Sequence, residues 1–181
     1  MTASRLPIPD KGQIGLDIEG VSASYKLSWI ADSPCRVACP AGVNVKAYVG
    51  LIGRGDFLRA LEVVREKNPL PGICGRVCTH PCEAECRRSE IDEPVAIRQL
   101  KRFIADYALS SKPAVLPVTT QKRKEKVAIV GSGPAGLTAA NDLRRLGYDV
   151  TIFEAQDKPG GMLVWGIPPF RLPRNIIEDE I

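Results

Sequence analysis

Histidine is almost absent from the sequence, and long apolar runs are absent altogether. His80 is the single histidine among 181 residues, and no side chain has the setting of a general acid, base or nucleophile, so we predict no catalytic residue. No apolar run approaches the roughly 20 residues of a membrane-spanning helix, so no membrane span is expected. Nothing near Met1 resembles a signal peptide, and we therefore expect a cytoplasmic protein.

The sequence also lacks a strongly basic face. The net charge is +4, and part of the basic excess lies in residues 122–126, which we interpret as a solvated linker. Nucleic-acid binding would need a larger basic surface with aromatic platforms, so no nucleic-acid partner is expected. The hydrophobic content of 44% and the charged content of 25% are typical of a globular chain with one or two small domains.

What the chain does have is six cysteines crowded into two stretches. They are spaced four residues apart and comprise Cys35 and Cys39, then Cys74, Cys78, Cys82 and Cys86. A disulfide framework would need an oxidising compartment, and structural zinc sites usually show Cys-x2-Cys pairs, which are missing here. Iron–sulfur clusters take thiolates, often from several cysteines in a short run. The pattern favours an iron–sulfur protein, with a zinc site or plain thiols as the alternatives.

The first half of the chain has helical patterns between its cysteine stretches. We predict an extended arm over residues 1–33 and a small α-helical iron–sulfur domain over residues 34–109. Its helices cover residues 45–52 and 57–67, the second capped by Asp56, and a third opens at residues 92–94. The break at Pro81 favours a loop wrapped around a cluster. The predicted buried positions are Phe57, Leu58, Leu61 and Val64 in the second helix, and Ala96, Leu100, Phe103, Ile104 and Tyr107 in the third.

The character of the chain changes after a linker predicted over residues 110–125. Residues 126–130 form a short apolar run typical of a buried parallel strand. A helix then continues to Gly147, where glycine can cap it, and a second strand over residues 150–153 ends at Glu154. Residues 126–181 are thus predicted to be the first βαβ part of a Rossmann-like domain. The fold class is α followed by α/β.

The turn between the first strand and its helix carries the dinucleotide pattern Gly-x-Gly-x-x-Gly. Gly131 permits a tight turn, Gly133 lets the backbone approach a pyrophosphate, and Gly136 lets helix and strand pack closely. The helix N-terminus would supply N–H donors to the phosphates, and Glu154 would accept hydrogen bonds from a ribose. A second glycine pair at residues 160–161 favours FAD over NAD, and the alternative is a glycine turn with no ligand. The predicted cofactor residues are Gly131, Ser132, Gly133, Pro134, Ala135, Gly136, Glu154, Gly161 and Met162.

These motifs together resemble a known family. Residues 68–78, 80–83 and 92–97 resemble the N-terminal iron–sulfur domain of the glutamate synthase small subunit, and dihydropyrimidine dehydrogenase has a similar domain. Residues 127–136, 153–154, 160–163 and 166–173 resemble the start of that family's FAD domain. The resemblance implies FAD, [4Fe–4S] clusters, electrons that enter from NAD(P)H, and a larger partner subunit that receives them.

The resemblance also implies a division of the cysteines, from which this chain departs. In the family pattern Cys39, Cys78 and Cys82 share one cluster with a non-cysteine ligand, which falls near Lys101. Cys35 and Cys86 belong to another cluster, whose remaining ligand positions fall at Leu27 and Ile30. Neither of those side chains can ligate iron, so one or two clusters are expected. Cys74 is additional and could replace one lost ligand.

The chain stops at Ile181, inside what should be the first third of an FAD domain. We therefore expect a fragment or one piece of a larger assembly, inactive alone and poor at holding FAD, with the NAD(P)H-binding domain elsewhere. Apolar side chains at Met162, Leu163, Trp165, Ile167 and Phe170 should be partly uncovered. The predicted function is electron transfer from NAD(P)H through FAD and [4Fe–4S] clusters to a partner subunit. The alternative is a non-catalytic iron–sulfur or zinc module that docks subunits.

Overall fold

The computed structural model describes residues 32–111 and 122–181. Almost all of the predicted arm over residues 1–33 and most of the predicted linker over residues 110–125 lie outside the described residues. Residues Ser33–Ile181 form one compact unit, in which helices of the cysteine-rich half pack against helices of the glycine-rich half.

Within residues 32–111, six α-helices form the cysteine-rich half. They are α1 (Pro34–Val37), α2 (Val45–Gly53), α3 (Phe57–Arg65), α4 (Pro71–Val77), α5 (Pro81–Ala84) and α6 (Ile97–Ser111). The side chains of Asn44 and Asp56 cap α2 and α3 by accepting hydrogen bonds from backbone N–H groups three residues on. The two predicted helices are confirmed, although α3 ends at Arg65 rather than at residue 67.

The second cysteine stretch is more helical than predicted. It folds as α4 and α5, followed by a 3₁₀ turn over Arg87–Glu90, so the prediction of a loop is wrong here. The break at Pro81 is confirmed, because this proline takes the first position of α5, where its missing N–H breaks no helical hydrogen bond. His80 precedes it in the left-handed region, with φ 48°, and turns the chain between the two helices.

Helix α6 begins later and is rotated relative to the predicted stripe. Its buried residues are Ile97, Lys101, Ile104, Ala105 and Ala108, so of the predicted set only Ile104 is fully buried. Phe103 and Tyr107 instead lie at the rim, where both rings meet Phe57 edge to face with centroids 5.1 and 5.0 Å apart. The buried face of α6 differs from the predicted one because α3 and α4 both pack against this helix. The small buried side chains of Ala105 and Ala108 leave room for this close approach. In α3, Leu58 is likewise exposed and Ala60 is buried in its place.

The glycine-rich half begins with a parallel strand–helix–strand unit. Strand β1 (Lys126–Val130) pairs in parallel with β2 (Asp149–Phe153), and α7 (Pro134–Arg145) connects them. This confirms the predicted order, with β2 starting one residue early and Gly147 after the helix at φ 93°. Strand β1 is not buried as predicted, and β2 is exposed to the same degree. Their residues alternate between exposed and half-buried, and Val130 is 90% exposed.

Two short helices, α8 (Met162–Trp165) and α9 (Arg174–Glu180), complete the described chain. They build a second core with α7 and with the start of α4: Leu70, Ile73, Leu137, Leu163, Val164, Leu172, Ile176 and Ile177. Of the apolar side chains predicted to be uncovered, Met162, Trp165 and Phe170 are exposed, whereas Leu163 is buried. In the described part of the chain, no helix has the length and apolarity to cross a membrane.

Candidate functional site

The six cysteines lie on or next to three short helices. Cys35 is in α1 and Cys39 follows it; Cys74 is in α4 and Cys78 caps its end; Cys82 is in α5 and Cys86 lies beyond it. All six are free thiols. Helix α1 packs against α5, which brings the first cysteine stretch to the second. The buried residues of the cysteine-rich half form the first core, and Cys35 and Cys39 pack against it. The first core comprises Val43, Val45, Tyr48, Ala60, Leu61, Val64, Cys82, Ile97, Ile104 and Ala108.

The six cysteines together are called the thiol group here, and Cys82 is the most buried of them. Burial raises the pKa of its thiol to about 11, and the nearby charges of Cys39 and Glu83 act in the same direction. Lys101 opposes the shift, and Cys78 adds to it.

Tyr48 lies in the same core as Cys82, against which Cys35 and Cys39 pack. Its ring is buried in the first core, and its hydroxyl donates a hydrogen bond to the carbonyl oxygen of Ile97 at 3.2 Å. Burial raises the pKa of Tyr48 far above its ordinary value, and neighbouring Cys82, Cys39, Cys35 and Cys74 raise it further. The hydroxyl thus stays protonated, and thiols from both cysteine stretches share this neighbourhood.

Lys101 enters the thiol group from α6. It is 8% exposed, and its Nζ donates a hydrogen bond to Cys74 Sγ at 3.0 Å. The family resemblance predicts a non-cysteine ligand near Lys101, and lysine is a poor ligand for iron. A buried lysine next to a thiol could have been suspected from its spacing, because Lys101 lies four residues after Ile97 and three before Ile104 on the buried face.

The segment that carries Cys78 is tied to α6 by several polar contacts. The backbone N–H of His80 donates to Cys78 Sγ at 3.3 Å, and the Arg98 guanidinium donates to the Cys78 carbonyl oxygen at 3.2 Å. Glu83 accepts from the backbone N–H of Arg98 at 2.7 Å and lies 3.1 Å from His80 Nδ1. His80 therefore positions the turn between α4 and α5.

Among residues 32–111 and 122–181, no three His, Cys, Asp or Glu side chains converge tightly enough to hold a single metal ion. A cluster of several irons binds one thiolate per iron, so its sulfur ligands are spread more widely than those of one ion. The donor set suits such a cluster chemically, because thiolates are its usual ligands and a buried ammonium can offset their charge.

The fingerprint loop, residues 131–136, joins β1 to α7 with tight backbone packing. Gly131 has φ 96°, a conformation that glycine adopts without strain. A Cβ on Gly136 would collide with the Gly131 carbonyl oxygen, so only glycine fits there. A Cβ on Gly133 would meet nothing within 4 Å, and this leaves open space at the start of α7. Pro134 and Ala135 are exposed in the first turn of the helix.

Ser132, in the fingerprint loop, forms hydrogen bonds with Glu154 and Gly160, which both come after β2 in the sequence. Glu154 accepts hydrogen bonds from the Ser132 backbone N–H at 2.8 Å and from the Ser132 hydroxyl. The same hydroxyl accepts a hydrogen bond from the backbone N–H of Gly160 at 3.1 Å. The hydrogen bonds from the Ser132 hydroxyl, the Gln156 N–H and the Ser132 N–H lower the pKa of Glu154 to about 2, so its carboxylate is charged at neutral pH.

The glycine pair at residues 160–161 closes over the fingerprint loop. Gly160 has φ 116° and Gly161 has φ 52°, and a Cβ on Gly161 would lie 2.9 Å from Gly133 Cα. Met162 follows with an exposed side chain. The structure thus brings together the predicted residues Ser132, Gly133, Glu154 and Gly161, and the open space in front of Gly133 suits a pyrophosphate.

Two family models match the chain. Residues 27–113 match the dihydropyrimidine dehydrogenase domain II with its 4Fe–4S cluster, and residues 129–164 match an NAD(P)-binding Rossmann-like domain. The first match covers all six cysteines, and the second covers the fingerprint loop together with Glu154 and the glycine pair at residues 160–161.

Curated relatives match both halves of the chain. The chain is 44% identical to the NADP(+)-dependent formate dehydrogenase subunit beta of Moorella thermoacetica, over 82% of this chain and 24% of the relative. It is 44% identical to subunit PreT of the NAD-dependent dihydropyrimidine dehydrogenase of Salmonella typhimurium, over 83% and 37%. It is 36% identical to the glutamate synthase [NADPH] small chain of Bacillus subtilis, over 93% and 31%. The chain thus spans between about a quarter and two fifths of the length of these relatives.

Proposed function

We propose that the chain, which is similar to NAD(P)H-dependent oxidoreductase subunits that include the glutamate synthase small chain, carries electrons within such an enzyme. Electrons would come from NAD(P)H, cross a bound FAD and a [4Fe–4S] cluster, and leave to a larger partner subunit. Free thiols require a reducing compartment, so we place the protein in the cytoplasm.

The observation that carries this proposal is the joining of two sites by one helix. Helix α4 presents Cys74 to the thiol group, while its Ile73 lies in the second core beneath the fingerprint helix α7. We propose residues 34–109 as the iron–sulfur domain, residues 110–125 as the linker and residues 126–181 as the first part of the FAD domain. A shared core would hold the two redox sites at a fixed separation.

The residues of the fingerprint loop are proposed to hold FAD through its diphosphate. The first backbone N–H groups of α7 would face the phosphates, and the missing side chain of Gly133 leaves the space they need. Glu154, held ionised by Ser132, would accept a hydrogen bond from the adenosine ribose. When bound, FAD accepts a hydride from a nicotinamide and releases its electrons singly, a chemistry that belongs to the cofactor.

Metal analysis and a visible spectrum of the anaerobically purified protein test the iron–sulfur part. We expect iron and inorganic sulfide with broad visible absorption, and we expect chelation of the iron to remove helical circular dichroism. Loss of helix is expected because metal binding contributes folding free energy in a domain with a small core. A protein that carries zinc and no iron would instead support a docking module without redox function.

A titration with FAD, followed by flavin fluorescence, tests the dinucleotide part. We expect weak but saturable binding by the chain, and at least about tenfold weaker binding still by Gly133→Ala, because the new Cβ would occupy the pyrophosphate space. Gly50→Ala is the matched control, since its Cβ also meets nothing within 4 Å but lies at an exposed position of α2, away from the fingerprint loop. Binding of NADPH in place of FAD, with the same dependence on Gly133, would contradict the assignment of FAD.

A further inference from the structure

A small basic cavity lies where α4, α6 and the segment between α8 and α9 meet. Its volume is about 250 Å³, below the range of roughly 300–1,000 Å³ that is usual for drug-sized ligands. Within the described residues, its walls carry no acidic side chain and four arginines: Arg76 from α4, Arg98 and Arg102 from α6, and Arg171 from the segment before α9. A cleft lined by charges of one sign concentrates ions of the other sign, so this cavity favours an anion.

One carboxylate, Asp106, fixes two of these arginines. It lies 2.7 Å from a terminal nitrogen of Arg76 and 3.4 Å from Nε of Arg102. The Arg76 side chain is only 8% exposed, so its guanidinium group is held in one place. Within the described residues, no carboxylate lies within ion-pair distance of the Arg98 or Arg171 guanidinium group. Positive charge on these two groups therefore stays unpaired at the cavity.

The lining arginines also keep unused hydrogen-bond donors. In the described part of the chain, the Nε atoms of Arg76 and Arg98 are buried and have no hydrogen-bond partner. Native proteins leave few buried N–H groups unpaired, and a bound ion is one of the usual reasons for an exception. The Arg171 side chain likewise has no hydrogen-bond partner among residues 32–111 and 122–181. Unused guanidinium donors thus come from both halves of the chain.

We propose that this cavity is a binding site for a phosphate group, separate from the fingerprint loop. Guanidinium groups bind phosphate through paired, charge-assisted hydrogen bonds. A phosphate offers more oxygen acceptors than a carboxylate does, which suits donors that approach from three chain segments. Phe170 also lines the cavity and is 91% exposed, so a flat group attached to the phosphate could stack on its ring. The phosphate is either a free ion or part of an ester.

The proposed site lies next to the segment that carries Cys74 and Cys78. Gly75 and Arg76, which line the cavity, directly follow Cys74 in α4, and Arg98 donates to the Cys78 carbonyl oxygen at 3.2 Å. A phosphate bound there would join α4 to α6 and to the segment before α9, so binding should stabilise the folded chain. The site does not depend on electron transfer, and its failure would leave the function proposed above unaffected.

Calorimetric titration of the full chain with inorganic phosphate, in a phosphate-free buffer of low ionic strength, tests the site. We expect saturable binding that weakens as salt is added, because salt screens the charges. Arg102→Gln and Arg171→Gln should each weaken binding at least about tenfold, since each removes a charged donor. Both side chains are exposed, so neither change disturbs a core. Arg87→Gln is the matched control, because it removes an exposed arginine that does not line the cavity.

The fingerprint loop is the competing place for a phosphate, and Gly133→Ala separates the two. This variant should retain the phosphate binding that depends on the arginines. Loss of binding in Gly133→Ala, with full binding in both arginine variants, would overturn the proposal. A wild-type chain without saturable binding would overturn it as well, and acetate that binds as tightly as phosphate would refute the choice of phosphate.

Phenyl phosphate distinguishes the two sources of the phosphate group. Tighter binding of phenyl phosphate than of inorganic phosphate, with the difference lost in Phe170→Ala, would identify an ester with a flat ring. Equal binding of the two probes would identify a free phosphate ion. Both results support the site when Arg171→Gln weakens the binding of each probe, and binding of either probe that Arg171→Gln leaves unchanged would refute it.

Discussion

Replacing Gly136 by alanine should destabilise the fingerprint loop, although Gly136 itself lies in helix α7. Alanine normally stabilises a helix by about 1 kcal/mol relative to glycine. At this position the new Cβ would fall well inside the 3.0 Å that separates real Cβ atoms from their neighbours, and the atom it meets is the Gly131 carbonyl oxygen. Ile129 Cγ2 at 3.3 Å closes the other side.

The Gly131 carbonyl cannot move aside at low cost. Gly131 is fixed by its turn conformation, φ 96°, and its backbone N–H donates to the Phe153 carbonyl oxygen of the neighbouring strand at 2.7 Å. Overpacking costs roughly 1–3 kcal/mol, and the upper end applies when the atom in contact is backbone. After the helical gain, we expect Gly136→Ala to lower the free energy of unfolding by about 2 kcal/mol, and the melting temperature by roughly 4–8 °C.

Thermal unfolding followed by circular dichroism measures this difference. Gly50→Ala serves as the control, because Gly50 lies in a helix, is exposed, and has open space where the Cβ would be. That variant should gain up to about 1 kcal/mol and melt higher than the wild type. A Gly136→Ala protein that melts at or above the wild-type temperature would show that the turn adjusts freely, and the reasoning from close packing would fail.

Three further changes test the contacts that join the sites. Burial raises the pKa of Glu180, so the folded state binds that proton more tightly than the unfolded state does. The resulting contribution to stability is lost as pH rises above about 4.5. Denaturation across pH should show this loss in the wild type and in the exposed-site control Glu178→Gln, but not in Glu180→Gln. Ser132→Ala should raise the pKa of the Glu154 carboxyl group from about 2 toward its ordinary 4.5. On acidification, the stabilisation from the ionised carboxylate should then be lost at a higher pH than in the wild type. A carbon-13 titration in which the pKa stays near 2 would contradict this. Gly75→Ala should lower iron content without removing a thiol, because its Cβ would lie 2.8 Å from Arg102 Cα and push α4 away from α6; full iron content would count against it.

The order of secondary structure could be predicted from the sequence because its signals are local. Asp56 marks the start of α3, Pro81 marks the break before α5, and the glycine spacing marks the turn into α7. Each of these residues acts on backbone conformation within a few positions of itself. A reader of the sequence therefore needs no knowledge of tertiary packing to find them.

The buried faces could not be predicted as well, because they depend on which helices meet. The stripe on α6 turns toward Lys101 and Ala105 since α3 and α4 approach from that side. The carboxylate of Glu180 accepts from the backbone N–H groups of Gly72 and Ile73 at 2.6 and 2.8 Å across more than 100 positions of sequence. No periodicity in the chain indicates such a pair.

Helix α4 contacts the structural elements of both candidate sites, so the two sites are mechanically coupled. Successive residues of an α-helix point about 100° apart, so Ile73, Cys74 and Gly75 face three directions. Ile73 lies in the core beneath the fingerprint helix, Cys74 contacts Lys101, and Gly75 allows α4 to lie against the backbone of Arg102. A displacement of α4 in any direction would loosen at least one of these contacts. The position of the thiol group is therefore coupled through three neighbouring residues to the core that supports the dinucleotide site.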